Sequence, residues 1–285
     1  MTKAVGGSSR LSLETGLIVL ERKPGWSALS LRELWSYREL LYFLTWRDVL
    51  VRYKQAVLGV AWAVLLPVIN ILIFTFVFGI LFHQNQSTPA YPLLSAAGLL
   101  PWGLFAGALT RCSISLVGHA NLITKVYFPR LIVPISSVLS GLVDFGISFL
   151  IVLGLMVYYR TPFTWNMLWL IPLTLLVVIT ALSVGLWLAA LNVQYRDVTH
   201  IVPFLITSWM YASPVAYSAS LVSGRTAIIY GLNPMAGVIQ GFRWAIMGGN
   251  PPGELFVIAV IMVAILLVSG LFYFRRMERT FADTI

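Results

Sequence analysis

The chain is poor in charge, in histidine and in cysteine. Asp, Glu, Lys and Arg make up 10% of its 285 residues, against 59% hydrophobic, which excludes a charge-covered soluble globule. Cys112 is the single cysteine, so neither an intramolecular disulfide nor a cysteine-based zinc site is expected. His83, His119 and His200 lie too far apart in sequence to suggest a metal cluster. A binuclear or Ser-His-Asp site could still assemble in space, but nothing at sequence level supports one. None of Lys3, Lys23, Lys54 and Lys125 belongs to a Gly-x-x-x-x-Gly-Lys-[Ser/Thr] loop, so the chain offers no nucleotide site of its own. Gly16–Leu20, the apolar run before residue 30, is shorter than the core of a signal peptide, and none is expected. Internal repeats and low-complexity segments are lacking too.

What the chain has is long apolar runs. The bilayer core is about 30 Å thick and a helix rises about 1.5 Å per residue, so about 20 apolar residues cross it. Six runs qualify as candidate spans: Val57–Phe82, Pro92–Thr110, Leu131–Tyr158, Met167–Leu191, Ile201–Tyr217 and Leu255–Phe274, the fifth being the shortest. The mean hydropathy of +0.88 agrees. The predicted class is an all-α polytopic membrane protein in a single membrane domain, residues 56–274. A cytoplasmic leader (1–30) and an interface helix (31–55) precede it, and a short tail (275–285) follows.

The few charges orient it. With six spans, sixteen Lys and Arg fall on the side of the termini, and Arg160, Arg225 and Arg243 on the other. By the positive-inside rule both termini are expected in the cytoplasm. The net charge of +9 then reflects topology; the basic residues flank spans and form no continuous surface for nucleic acid. Leu31, Trp35, Tyr42, Trp46, Val49 and Tyr53 fall within about 60° of one another on a helical wheel. Arg38 falls inside that stripe and must snorkel or pair. An aromatic stripe with basic flanks just before a span reads as a helix lying in the membrane interface.

Several further segments carry possible chemistry. Asn121–Arg130 is a short cationic loop that includes Lys125 and an exposed aromatic pair, Tyr127 and Phe128. Pro129 disfavours helical geometry at Phe128, so a short helix is expected to stop there. Arg196 and Asp197 are adjacent in a second short loop, Gln194–His200; bracing the first loop, touching a partner and closing a tight turn all remain open. Asn233-Pro234 is a helix start, with Asn as cap and Pro at the first position. The run from there to Met247 is too short to cross and ends at Gly248-Gly249, as in a re-entrant or interfacial helix. Arg243 on it is an external cation, read either as an interface anchor or as a contact for anionic lipid or glycan. Asp144 is the one carboxylate inside a span. At roughly 2.5–3.5 kcal/mol for insertion it must face protein or water, as a conduit wall, a proton relay or a structural hydrogen-bond partner.

Four segments together resemble a known family. RDVLVRYKQAVLGVAWAVLLPV (47–68), NLITKVYFPRLIVPISSVLSGLVDF (121–145), LNVQYRDVTHIVPFLITSWMYASPVAY (191–217) and YGLNPMAGVIQGFRWAI (230–246) occur in the order seen in permease subunits of ATP-binding-cassette exporters for bacterial polysaccharide. The branch that exports O-antigen-type lipopolysaccharide is the most similar, with capsular and teichoic acid exporters as near relatives. The resemblance implies a permease homodimer with two nucleotide-binding ATPase subunits that bind the ATP and Mg, and a lipid-linked polysaccharide as cargo. It implies that Asn121, Lys125, Tyr127, Phe128, Arg130, Arg196 and Asp197 form the surface coupled to the ATPase. It places spans one and five at the dimer centre, so that Trp62, Phe74, Phe78, Trp209 and Tyr211 line a conduit, though each aromatic alone also reads as a packing or belt residue; Asp144 of the third span would join them in its conduit-wall reading. Paired short helices beginning at Asn233 and Pro234 and carrying Arg243 would close the external mouth. The implied location is the bacterial inner membrane. Two other classes compete. A proton- or ion-coupled secondary transporter is disfavoured by the single intramembrane carboxylate and the lack of inverted repeats. A membrane-embedded transferase on lipid-linked sugars would need clustered acids or histidines.

Overall fold

The structure is a computed structural model that describes residues 31–54, 59–81, 90–215, 231–249, 251–278 and 281. The leader 1–30, most of the tail, the ends of the first span, and positions 216–230 of the external segment lie outside the described residues. Among the described residues all regular structure is helical. The helices are α1 (Leu31–Ser36), α2 (Arg38–Lys54), α3 (Gly59–Phe74, continued by π-helical turns over Thr75–Leu81), α4 (Tyr91–Gly118), α5 (Ala120–Lys125) and α6 (Ile132–Leu139). After them come α7 (Gly141–Tyr158), a 3-10 segment (Trp165–Trp169), α8 (Leu170–Gln194), α9 (Val198–Tyr211), α10 (Pro234–Met247) and α11 (Glu254–Met277).

Five stretches are long and apolar enough to cross a membrane: Ala61–Ile80, Tyr91–Gly118, Ile132–Tyr158, Trp165–Gln194 and Phe256–Met277. They coincide with five of the six expected spans. The remaining one, Ile201–Tyr217, is represented by α9, whose 14 residues reach about 21 Å before turns begin at Ala212. The second span also departs from expectation. Its expected end is Thr110, yet α4 runs on to Gly118 and carries Arg111 within it.

α4 is the axis of the bundle, packed along α8 and flanked by α3, α6, α7 and α10, while α11 packs on α8. Membrane helices approach closely where side chains are small. A Cβ at Gly185 would stand 2.5 Å from the Cys112 sulfur, and one at Gly270 would stand 2.6 Å from the Ser183 carbonyl oxygen. Trp187 stacks on Tyr273 across the α8–α11 contact, with centroids 4.2 Å apart. Long-range contacts define two ends. Asn192 beside Ser113, Arg47 beside His119, and Arg130 beside Glu278 gather the loops at one end. Trp169 against Trp244 marks the other, the mouth.

Candidate functional site

At the loop end, α5 stops at Lys125 and Val126 turns extended, with φ −127° and ψ 134°. The short helix thus ends three residues before the expected stop at Phe128. The aromatic pair is split: Tyr127 is 71% exposed, whereas Phe128 is only 5% exposed. Phe128 belongs to an apolar cluster with Leu44, Leu131, Ile132 and Phe274, so it is no surface anchor. Arg130 is engaged as well. Its guanidinium donates to the Glu278 carbonyl and lies 5.9 Å over the Phe281 ring, tying the loop to the end of α11. Asn121, Lys125 and Tyr127 remain exposed. So do Arg196 and Asp197, along with Tyr195 at 62%, which the sequence reading passed over. Its signal was a large aromatic side chain in a four-residue polar turn. The two loops share this end because Asn192 donates to the Ser113 carbonyl at 3.0 Å and accepts from the Thr199 hydroxyl at 3.0 Å.

Inside the bundle Asp144 is not a lone carboxylate. Arg52 and Tyr53 at the end of α2 both donate to it, and Arg111 of α4 stands 3.5 Å away. Arg111 also donates to the Ser137 carbonyl at 3.2 Å, and Arg52 to the Ser140 hydroxyl at 3.4 Å. Space for Arg111 comes from two glycines: a Cβ on Gly141 would overlap its guanidinium, and one on Gly107 would stand 3.1 Å from it. Burial, together with the hydrogen bond and negative charge of Asp144, pushes the Tyr53 phenol up to about 12. Three elements distant in sequence thus meet on one carboxylate. Arg52 and Arg111 are two of the sixteen cations counted on the side of the termini, and the sequence signal for their role is one intramembrane acid with several arginines on the same side.

A second cluster ties the middle of α2 to the end of α4. The His119 Nδ1 donates to the Ser115 carbonyl at 2.7 Å, and its Nε2 faces the Arg47 guanidinium and, at 3.7 Å, the Asp48 carboxylate. Burial pushes the Asp48 carboxyl up, but the hydrogen bonds and charges of His119 and Arg47 outweigh it and hold the group below its usual range. The expected aromatic stripe of this helix is divided. Val49 is buried, Leu34, Tyr37, Leu40 and Leu41 pack with Leu44 in the loop-end cluster, and Trp35, Tyr42 and Trp46 are exposed. Arg38 pairs as anticipated, 5.9 Å over the Trp35 ring.

At the mouth, α10 begins at Pro234 and ends at Met247, with Gly248 and Gly249 at positive φ, as the sequence indicated. Asn233 caps it, its Oδ1 accepting from the Met235 amide at 3.0 Å and from the Trp209 indole at 2.8 Å. The Asn233 amide donates to the Ala212 carbonyl at 3.1 Å and to the Ser213 hydroxyl at 2.8 Å. Trp209 is thereby committed within the chain, its ring 5.1 Å from Phe105. Phe105 lies 14 residues after Tyr91, about 21 Å along α4, so α10 starts deep in the bundle and rises to the mouth. Arg243 was expected on the external surface. It is only 9% exposed, packed over Gly98 and donating to the Val215 carbonyl at 2.9 Å. Of the other aromatics, Trp62 and Tyr211 are exposed, and Phe74 and Phe78 are half-buried with centroids 5.6 Å apart.

Apolar helices around a small-residue axis, two short exposed loops at one end and a capped helix sunk into the other define a multi-pass membrane permease. The chain belongs to the ABC-2 type transporter family, which matches residues 39–247. It is 34% identical to an O-antigen export system permease protein of Myxococcus xanthus, over 89% of this chain and 98% of that one. An O-antigen export system permease protein of Klebsiella pneumoniae is 31% identical over 87% of this chain and 95% of its own length. A polysialic acid transport protein of Escherichia coli is 22% identical, over 71% of this chain and 79% of the relative.

Proposed function

We propose that this chain is the membrane subunit of an ATP-driven exporter of polysaccharide, and that its cargo is a lipid-linked chain of the O-antigen type. The observation that carries the reading is the end-to-end likeness to O-antigen export permeases, which spans 87–89% of the chain. In this reading α9 and the residues after it complete a sixth crossing, α10 is a re-entrant helix, and α2 lies against the cytoplasmic face of the inner membrane. Both termini are cytoplasmic. Two copies associate, and two ATPase subunits, which hold the ATP and Mg, dock on the loop end.

Tyr127 and Tyr195, with Asn121, Lys125, Arg196 and Asp197, are the side chains left exposed for that docking. Large aromatics that fill a partner's groove dominate interface energies. Phe128 and Arg130 act one step back, fixing the loop to α6 and α11 so that a push on Tyr127 moves the bundle and not merely the loop. The exposed sides of α3 and α9, with Trp62 and Tyr211, face the partner copy across the conduit. A polymer moves along such a wall only if no single site holds it tightly. Trp209 supports this wall through Asn233.

Copurification of the ATPase, together with surface polysaccharide in a permease-deficient strain, tests the assignment. Tyr127→Ala should lower ATPase binding by at least about 2 kcal/mol and stop export, with the permease itself still folded. Undiminished ATPase capture would remove the coupling role from this loop. A cysteine at position 125 labelled from outside, with one at 161 labelled from inside, would overturn the orientation.

A further inference from the structure

Between α7 and α8 the bundle has a lateral fissure of about 720 Å³. Leu142, Phe145 and Phe149 of α7 form one wall, and Phe163, Trp165 and Ile171 contribute to the other. These two helices fall within candidate spans, so the fissure lies at membrane depth. Its size is that of a ligand pocket, and its aromatic and aliphatic lining suits a hydrocarbon chain.

The turn above it carries a cation at a conformational cost. α7 ends in a Schellman motif: the Thr161 amide donates to the Met156 carbonyl at 2.9 Å and the Arg160 amide to the Val157 carbonyl at 3.2 Å. The residue between, in the left-handed region that usually selects glycine, is Arg160 with φ 53°. It is the one positive-φ residue other than glycine among the described residues. A side chain there costs about 1–2 kcal/mol, and the charge at the helix C-terminus returns only part of that. Arg160 is exposed, beside Tyr158 and Tyr159 in the chain and three residues before Phe163 of the fissure wall, and Tyr at a span end is a residue type of the membrane-interface belt. Phe149 lies 11 residues earlier, about 16 Å along the helix, which is the depth of one leaflet.

From this juxtaposition we infer that Arg160 and the α7–α8 fissure form a binding site for an anionic phospholipid of the leaflet at the mouth end. The guanidinium takes the phosphate and one acyl chain fills the fissure. The occupant is a membrane lipid and not a second copy, because charge complementarity is offered at the headgroup level and the wall below it is aliphatic and aromatic.

Purified protein in phosphatidylcholine nanodiscs, doped in turn with phosphatidylglycerol or phosphatidylcholine bearing a photoreactive group at the acyl terminus, tests this without ATPase or cargo. Crosslinks mapped by mass spectrometry should concentrate at Phe145, Phe149 and Phe163, with phosphatidylglycerol preferred roughly fivefold, the effect of one cation near a headgroup. Arg160→Gln should abolish the preference and Arg160→Lys should retain most of it. Thr174→Trp, which narrows the fissure, should cut labelling there severalfold, whereas Leu175→Trp on the adjacent exposed side should not. Equal labelling by the two lipids in the wild-type protein, or labelling of Val257 and Ile261 on α11 as strong as in the fissure, would overturn the site.

Discussion

The first two spans behave oppositely. Ala61–Ile80, the more apolar span, has 11% of its most apolar window buried, whereas Tyr91–Gly118 has 67%. In water the greasier helix would be the inner one. In a bilayer the hydrocarbon outside is as apolar as leucine, so hydrophobicity no longer selects the interior. Small and weakly polar residues do, because they let backbones meet. α4 carries Ser95, Ala96, Ala97, Gly98, Ala108, Ser113 and Ser115. The first span instead turns Leu65, Leu66, Leu72, Ile73 and Phe76 outward.

The largest effect should come from removing the carboxylate of α7 that answers Arg111 of the buried helix. Asp144→Leu leaves Arg52 and Arg111 facing each other, and a loss of about 3 kcal/mol is expected, the low end for an uncompensated pair because Asp144 keeps 34% side-chain exposure. Thermal unfolding in detergent measures it. Asp144→Leu with Arg111→Leu should recover part of the loss, since an apolar pair replaces Arg111 and its carboxylate while Arg52 stays unanswered; no recovery would mean that Arg111 contributes little beside Arg52.

Next comes close packing. Gly270→Ala forces a methyl group against the Ser183 carbonyl, a backbone atom that cannot step aside. A loss of about 1–3 kcal/mol is expected. An unchanged melting temperature would show that α8 and α11 are less tightly seated than α4 and α8.

Tyr53→Phe removes one hydrogen bond to Asp144 and should cost about 1 kcal/mol. It should also alter the alkaline limb. The Tyr53 phenol is raised to about 12 from the ordinary 10.0, so its contribution is full below pH 10 and is lost as pH rises towards 12. A stability-versus-pH curve in that window should flatten in the variant. An identical slope would place Tyr53 outside the cluster.

The smallest effect belongs to the outward face of the first span. Leu72→Ala should change the stability of the isolated subunit by less than about 0.5 kcal/mol. A larger fall in the stability of a purified dimer, with the monomer unaffected, would show that this face is covered by a second copy and sharpen the contrast with α4.

Much of the fold was legible because the relevant signals are local. Four runs match helices within about four residues and the second falls eight short at its end, while the Asn233-Pro234 start and Gly248-Gly249 stop of α10 agree with the structure, since cap and breaker chemistry acts over one turn. The site was less legible. The expected span end at Thr110, the external placing of Arg243 and the exposure of Phe128 each differ from the structure. Each reading failed for one reason: the partner that changes the residue's environment lies far along the chain, as Asp144 lies 92 residues from Arg52.

By itself the sequence determined the class of molecule, the positions of its apolar runs and its membership of the ABC-2 transporter family, because span length, composition and motif order are properties of the chain in one dimension. Tertiary structure alone decided which apolar face is buried, which arginines meet Asp144, and that Tyr127 stays outside while Phe128 turns in. Charges at membrane depth are tolerated only where another segment answers them, and which segment answers is settled when the helices pack.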